Sequence, residues 1–148
     1  MATKLQLITE LANTTSKELS NVENWMAFLD SASWQYKYSF EDQVLIYAQR
    51  PDARACADFD TWNEKLKRRI NRGAKGIALL RERGADFYLD HVFDVSDTYK
   101  GVRGVEVKLW KYNDKYDDAI IETLENTFGE LKVNTTLTDA IICAAHNA

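Results

Sequence analysis

The most diagnostic segment of the chain runs from residue 76 to residue 95: Gly76-Ile-Ala-Leu-Leu-Arg81, then Glu82-Arg-Gly-Ala85, then, after Asp86, Phe87-Tyr-Leu-Asp-His-Val-Phe-Asp-Val95. The first piece is a short apolar run and the second holds turn-forming glycine. In the third, Phe87, Leu89, Phe93 and Val95 alternate with Tyr88, Asp90, Val92 and Asp94, which is the period-two pattern of a half-buried strand. This predicts a β-hairpin with strands at 76–81 and 87–95 and a turn at 82–85. The phenylalanine set is expected on the apolar face and the aspartate set on the wetter one.

Upstream, Asn21 is a suitable N-cap for a helix over 22–36, where Val22, Trp25, Met26, Leu29, Ala32 and Tyr36 recur at three-to-four spacing. Trp25, Phe28 and Trp62 are expected inside, and residues 5–19 are expected to form a looser helix. Ser39 can cap a short helix that stops near Arg50, because Pro51 disfavours helix before it. Asp58 or Asp60 can cap a third helix through Trp62 and Leu66 to the Asn71-Arg72-Gly73 segment. Downstream, 98–104 reads as an exposed loop, 105–110 as a strand, and 114–128 and 137–145 as helices. The order of helices, sheet and helices predicts an α+β domain: a small, mostly antiparallel sheet (strands near 76–81, 87–95 and 105–110) packed with four to five helices. The only proline is Pro51, and no flexible linker is expected. Residues 1–20 are read as a helical extension and 21–148 as one domain.

The chain has 148 residues, a formal net charge of −4, and is 45% hydrophobic and 28% charged, a composition that excludes a disordered or fibrous chain. No apolar run approaches the roughly 18 residues of a membrane span. The N-terminus lacks the basic-then-apolar pattern of a signal peptide, and a cytoplasmic location is expected. Cys56 and Cys143 have no CxxC partner, so no disulfide framework or zinc site is suggested. The charge is uneven. Residues 61–83 hold eight cations against two anions, which suits an otherwise acidic molecule to steering a polyanion to that band or to docking an acidic face on a basic partner; a solvated surface would look the same.

Within that band, Arg68-Arg-Ile-Asn-Arg-Gly-Ala-Lys-Gly76 sets two glycines among cations. Gly73 and Gly76 let the backbone turn tightly and offer N–H groups, while Lys67, Arg68, Arg69, Arg72 and Lys75 add charge, a combination that fits phosphate without reading base identity. The spacing is not that of a Walker A loop, and the GxxG tetrad leads into a strand where a KH clamp leads into a helix. Tyr36, Lys37 and Tyr38 form a second group, rings beside a cation, of the kind on which unpaired bases stack; Tyr112 beside Trp110 and Lys111 is similar. Asp94 and Glu106-Val-Lys108 match the short D…ExK pattern of metal-dependent nucleases, with two carboxylates for Mg²⁺ and a lysine beside the attacking water. Asp90, His91 and Asp94 could form a metal cluster, although His91 falls on the apolar face, where a satisfied core histidine is the simpler reading. HExxH, GxSxG and GxGxxG motifs are absent. The reading carries no catalytic residue, no metal and no cofactor.

Taken together, Phe28-Leu-Asp-Ser-Ala-Ser33, Tyr36-Lys-Tyr-Ser-Phe40, Gln43-Val-Leu-Ile-Tyr-Ala-Gln-Arg-Pro-Asp-Ala53, Trp62 and Arg72-Gly-Ala-Lys-Gly-Ile77 resemble the N-terminal domain of ArdC-type antirestriction proteins. The version most similar stands at the front of large conjugative-element proteins of Gram-positive gut bacteria, where segments similar to 88–98 and 120–131 follow. The resemblance covers roughly residues 21–145. It implies a noncatalytic DNA-binding domain, preferring single strands, carried by mobile elements as a counter-defence. It also implies a freestanding domain or a piece of a longer protein whose other modules are zincin, helicase or methylase units. The expected interface is Tyr36, Lys37, Tyr38, Lys67, Arg68, Arg69, Arg72, Gly73, Lys75 and Gly76. The alternative is an anti-CRISPR or antirestriction inhibitor that grips a defence nuclease, free or DNA-loaded, through the acidic segment 114–130.

Overall fold

Capping side chains set where the first helices begin. In the computed structural model, which describes residues 1–129 and 136–147, α1 (Lys4–Glu18) opens on a capping box: the Thr3 hydroxyl accepts the Gln6 amide and Gln6 Oε1 accepts the Thr3 amide. Asn21 caps α2 (Val22–Trp34), and Ser39 caps α3 (Phe40–Gln49), whose first turn carries Glu41 and Asp42, as the helix dipole favours. Then follow β1 (Cys56–Asp58), a π turn (Thr61–Lys65), β2 (Arg68–Ile70), β3 (Ile77–Arg83), β4 (Asp86–Asp94), a 3₁₀ turn (Val95–Asp97) and β5 (Thr98–Lys100). A second 3₁₀ turn (Asp114–Tyr116) precedes α4 (Asp117–Phe128) and α5 (Leu137–Asn147). All strand pairs are antiparallel, and the architecture is α+β. No described helix is long and apolar enough to cross a membrane.

The chain divides into two compact units, Met1–Leu109 and Trp110–Ala148. In the first, β4 lies between β1 and β3, while β2 and β5 form a separate two-stranded ribbon. The hairpin turns on Gly84, with φ +63 at the first of two loop residues, a position that suits glycine in a tight hairpin turn. The core joins Leu45 and Ile46 of α3 to Ile77 and Leu79 of β3 and Val92 of β4, and Ile8 and Ala12 of α1 pack against it. The segment read as an extension, residues 1–20, is therefore part of the packed unit. β3 is an edge strand, and the Gln49 side chain covers that edge: its Nε2 donates to Ala78 O at 2.8 Å and its Oε1 accepts Ala78 N at 2.9 Å. A peptide-like side chain thus stands in for a missing neighbour strand.

Several expectations give way to tertiary packing. Residues 105–110 form no strand; Val105 is tied instead by its amide to Leu66 O at 2.8 Å and by its carbonyl to Arg68. The strand lies earlier, at Thr98–Lys100, in the segment read as a loop, because β2 offers its edge there. The helix expected from Asp58 to Asn71 is only a π turn, closed by Leu66 N on Thr61 O at 3.0 Å; the left-handed backbone of Lys67, φ +53, ends it. On β4 the faces are reversed: Val92 and Asp94 are buried and Phe87 is exposed. Trp62 and Phe28 are inside, but Trp25 is 39% exposed and rests on Phe28, ring centroids 5.4 Å apart.

In the second unit, α4 and α5 pack together over Ala140 and Ala144, and Asn147 Nδ2 donates to Phe128 O at 2.9 Å. The Tyr112 hydroxyl donates to the Asp117 carboxylate, and that bond raises the tyrosine's pKa to about 12. Glu130 and Leu131, at the ends of the acidic segment and of the 120–131 similarity, lie outside the described residues.

Candidate nucleic-acid interface

The basic band is organised by strand alternation. In the β2–β5 ribbon Arg68 pairs with Lys100, Arg69 with Tyr99 and Ile70 with Thr98, so the middle pair faces opposite to its neighbours. Arg68 points in. It is buried, its Nε donates to Thr98 Oγ1 at 2.8 Å, and its terminal nitrogens reach Val105 O and Thr98 O, each at 3.3 Å. It is an expected interface residue that the structure buries, a guanidinium held among neutral oxygens. Lys67 and Arg69, on either side, are exposed.

After β2, residues 71–74 turn, with Ala74 N on Asn71 O at 3.0 Å and Gly73 at φ +85, the conformation that the third position of a type II turn requires. Arg72 and Lys75 are exposed beside it. Two amides of this turn are engaged within the protein: that of Ala74, and that of Asn71, which donates to Asp97 O at 2.8 Å. Gly76 serves packing, since a Cβ there would come within 3.0 Å of His91 Cβ and 3.2 Å of Phe93 Cζ. Lys67, Arg69, Arg72 and Lys75 form no ion pair among the described residues, whereas Arg81 is bound to Asp42 at 2.7 Å and Arg83 lies 5.0 Å over the Tyr88 ring. The strip of expected interface cations that remains is Lys67, Arg69, Arg72 and Lys75, and Lys65 of the band is exposed as well.

Its support comes from behind. Arg50, at the end of α3, clasps Asp97 at 2.9 Å and Ser96 Oγ at 2.9 Å. Trp62 is buried, with Nε1 donating to Phe93 O at 2.8 Å. Buried Asp94 accepts the amides of Arg54, Ala55 and Ser96 and the Ser96 hydroxyl at 2.6–2.9 Å. Burial pushes its pKa up, but those hydrogen bonds outweigh burial and hold the carboxyl below the usual range. Both Asp94 oxygens are thus engaged, which argues against their holding a metal in a D…ExK site. Glu106 pairs with Lys100 at 3.6 Å. Among the described residues, no three His, Cys, Asp or Glu side chains gather to hold a metal; His91 instead meets Lys4, Nε2 to Nζ 2.9 Å.

The second expected wall is split. Tyr36 is exposed, with Lys37 Nζ 5.7 Å from its ring centre. Tyr38 is half-buried: it packs against the core and its hydroxyl donates to Cys56 O at 2.9 Å; burial raises its pKa. The Cys56 thiol is pushed up to about 12, also by burial first. Two exposed residues escape a reading by composition. Tyr99 stands opposite Arg69, and Arg103 lies in the turn closed by Gly104 N on Gly101 O at 2.9 Å, packed against the Lys67 carbonyl. The signal for Tyr99 was the β-prone triplet Thr98-Tyr99-Lys100. Comparison with protein families, with characterised proteins and with solved structures gives no match for this chain.

Proposed function

We propose that this chain is a noncatalytic DNA-binding domain of a mobile-element counter-defence protein, of the ArdC N-terminal type, acting in the cytoplasm and preferring single strands. The observation that carries the reading is the strip of Lys67, Arg69, Arg72 and Lys75: four exposed cations, without acidic partners among the described residues, on a ribbon and turn braced from behind. An acidic molecule with one such strip draws a polyanion to it. Contacts of this kind hold phosphates and leave base identity unread.

Salt titration tests the proposal. If about four phosphates of a single strand are held, log K falls against log salt with a slope of roughly −3. Arg69→Ala with Arg72→Ala weakens binding to all sequences about equally, read by fluorescence anisotropy. A flat salt response rejects the reading. The inhibitor alternative draws on Asp118 and Glu122 of α4, exposed and without ion pairs among the described residues. Capture of a purified defence nuclease without DNA, together with no gel shift on DNA, would favour it.

A further inference from the structure

We infer that Tyr99 is the residue on which this interface stacks an unpaired base. This rests on the DNA-binding reading above and adds a second, non-ionic contact to it. Because Arg68 and Thr98 are buried on the inner face of the ribbon, the intervening residues, Arg69 and its cross-strand partner Tyr99, stand together on the outer one. A phosphate-binding guanidinium and an aromatic ring are thereby neighbours on one surface, with Lys67 and Arg103 on the adjoining loops.

The ring is open. Tyr99 is 54% exposed, and its hydroxyl has no hydrogen-bond partner among the described residues. Other exposed tyrosine and tryptophan rings have a cation or ring beside them: Lys37 lies over Tyr36, Arg83 over Tyr88 and Lys115 over Tyr116, while Trp110 and Tyr112 are tilted against each other with centroids 6.5 Å apart and Trp25 rests on Phe28. Among the described residues Tyr99 is the exposed tyrosine or tryptophan ring with neither a cation nor another ring against it.

A base inside a duplex has both faces covered by its neighbours, so only an unpaired one can lie on the Tyr99 ring. Every base has a π face, hence stacking adds affinity for single strands without selecting sequence. Duplex DNA would touch the cations and miss the ring. The preference for single strands thus has a named structural source.

The test compares the full chain with Tyr99→Ala and Tyr99→Phe by fluorescence anisotropy on three probes: a thymidine strand of about 16 nucleotides, an abasic strand of the same length, and a duplex. Tyr99→Ala is expected to weaken the thymidine strand on the order of tenfold to a hundredfold. The abasic strand, the duplex and the salt slope should be unchanged, and Tyr99→Phe should bind like the parent. Equal affinity of Tyr99→Ala and parent for the thymidine strand overturns the inference, as does an equal loss on all three probes. If salt-dependent binding responds to Arg69→Ala with Arg72→Ala but not to Tyr99→Ala, only the stacking role fails. If the parent binds no probe, the DNA-binding reading fails and takes this inference with it.

Discussion

Arg68 and Arg69 are chemically identical neighbours with opposite roles, and the difference is one step of strand alternation. Arg68 satisfies Thr98 and Val105 oxygens in a buried setting; removing it leaves those acceptors without donors, at a cost of about 1–3 kcal/mol. Arg68→Ala is therefore expected to lower unfolding free energy in urea by about 2 kcal/mol or more. Arg69→Ala, at an exposed position, should stay within about 0.5 kcal/mol of the parent while losing DNA affinity. If both variants behave alike in urea, the inward placement of Arg68 is wrong. That a basic triplet lay at residues 67–69 was plain from the sequence. Which member turned inward was not, since the segment reads equally as the end of a helix until Thr98 supplies a partner strand.

At the scale of elements, the Gly73 and Gly76 turn was legible as a turn, but its two glycines are needed for different reasons. Gly73 needs its backbone conformation, φ +85, and has open space around it. Gly73→Ala should cost on the order of 1 kcal/mol and Gly73→Asn less, since asparagine enters the left-handed region more readily. Gly76 needs its missing side chain, so Gly76→Ala should cost about 1–3 kcal/mol by pushing on His91 and Phe93. Denaturant midpoints of the three variants check this, with asparagine rescue expected at 73. The hairpin and the capped helices were readable because a turn or a cap depends on residues a few positions apart. The 105–110 strand failed because alternation alone does not supply an edge to pair with; that edge went to Thr98–Lys100.

For the molecule as a whole, acid sensitivity should trace in part to Asp94, which ties the segment before β1 to the turn after β4. Its folded pKa is depressed, so its stabilisation is present above the unfolded value of about 3.9 and is lost as pH falls through the lower folded value. Asp94→Asn sets an NH₂ group against amide donors. It should lower stability at neutral pH by about 3 kcal/mol and flatten the loss in acid, measured by urea titration from neutral to acid pH. Asp58, lowered chiefly by its hydrogen bonding with Thr61, adds an acid-labile contribution common to parent and variant. An unchanged acid profile in Asp94→Asn would contradict this assignment.

By itself the amino-acid order determined the local features: helix starts at Asn21 and Ser39, the hairpin about Gly84, the α+β class, and a cation-rich strip beside Gly73. Each follows from forces acting over a turn of helix or a pair of residues. Only the tertiary structure decided that Arg68 belongs to the interior and that Tyr99 stands opposite Arg69. Those outcomes depend on segments about 30 residues apart meeting in one register, where a shift of a single residue would exchange every inward side chain for an outward one.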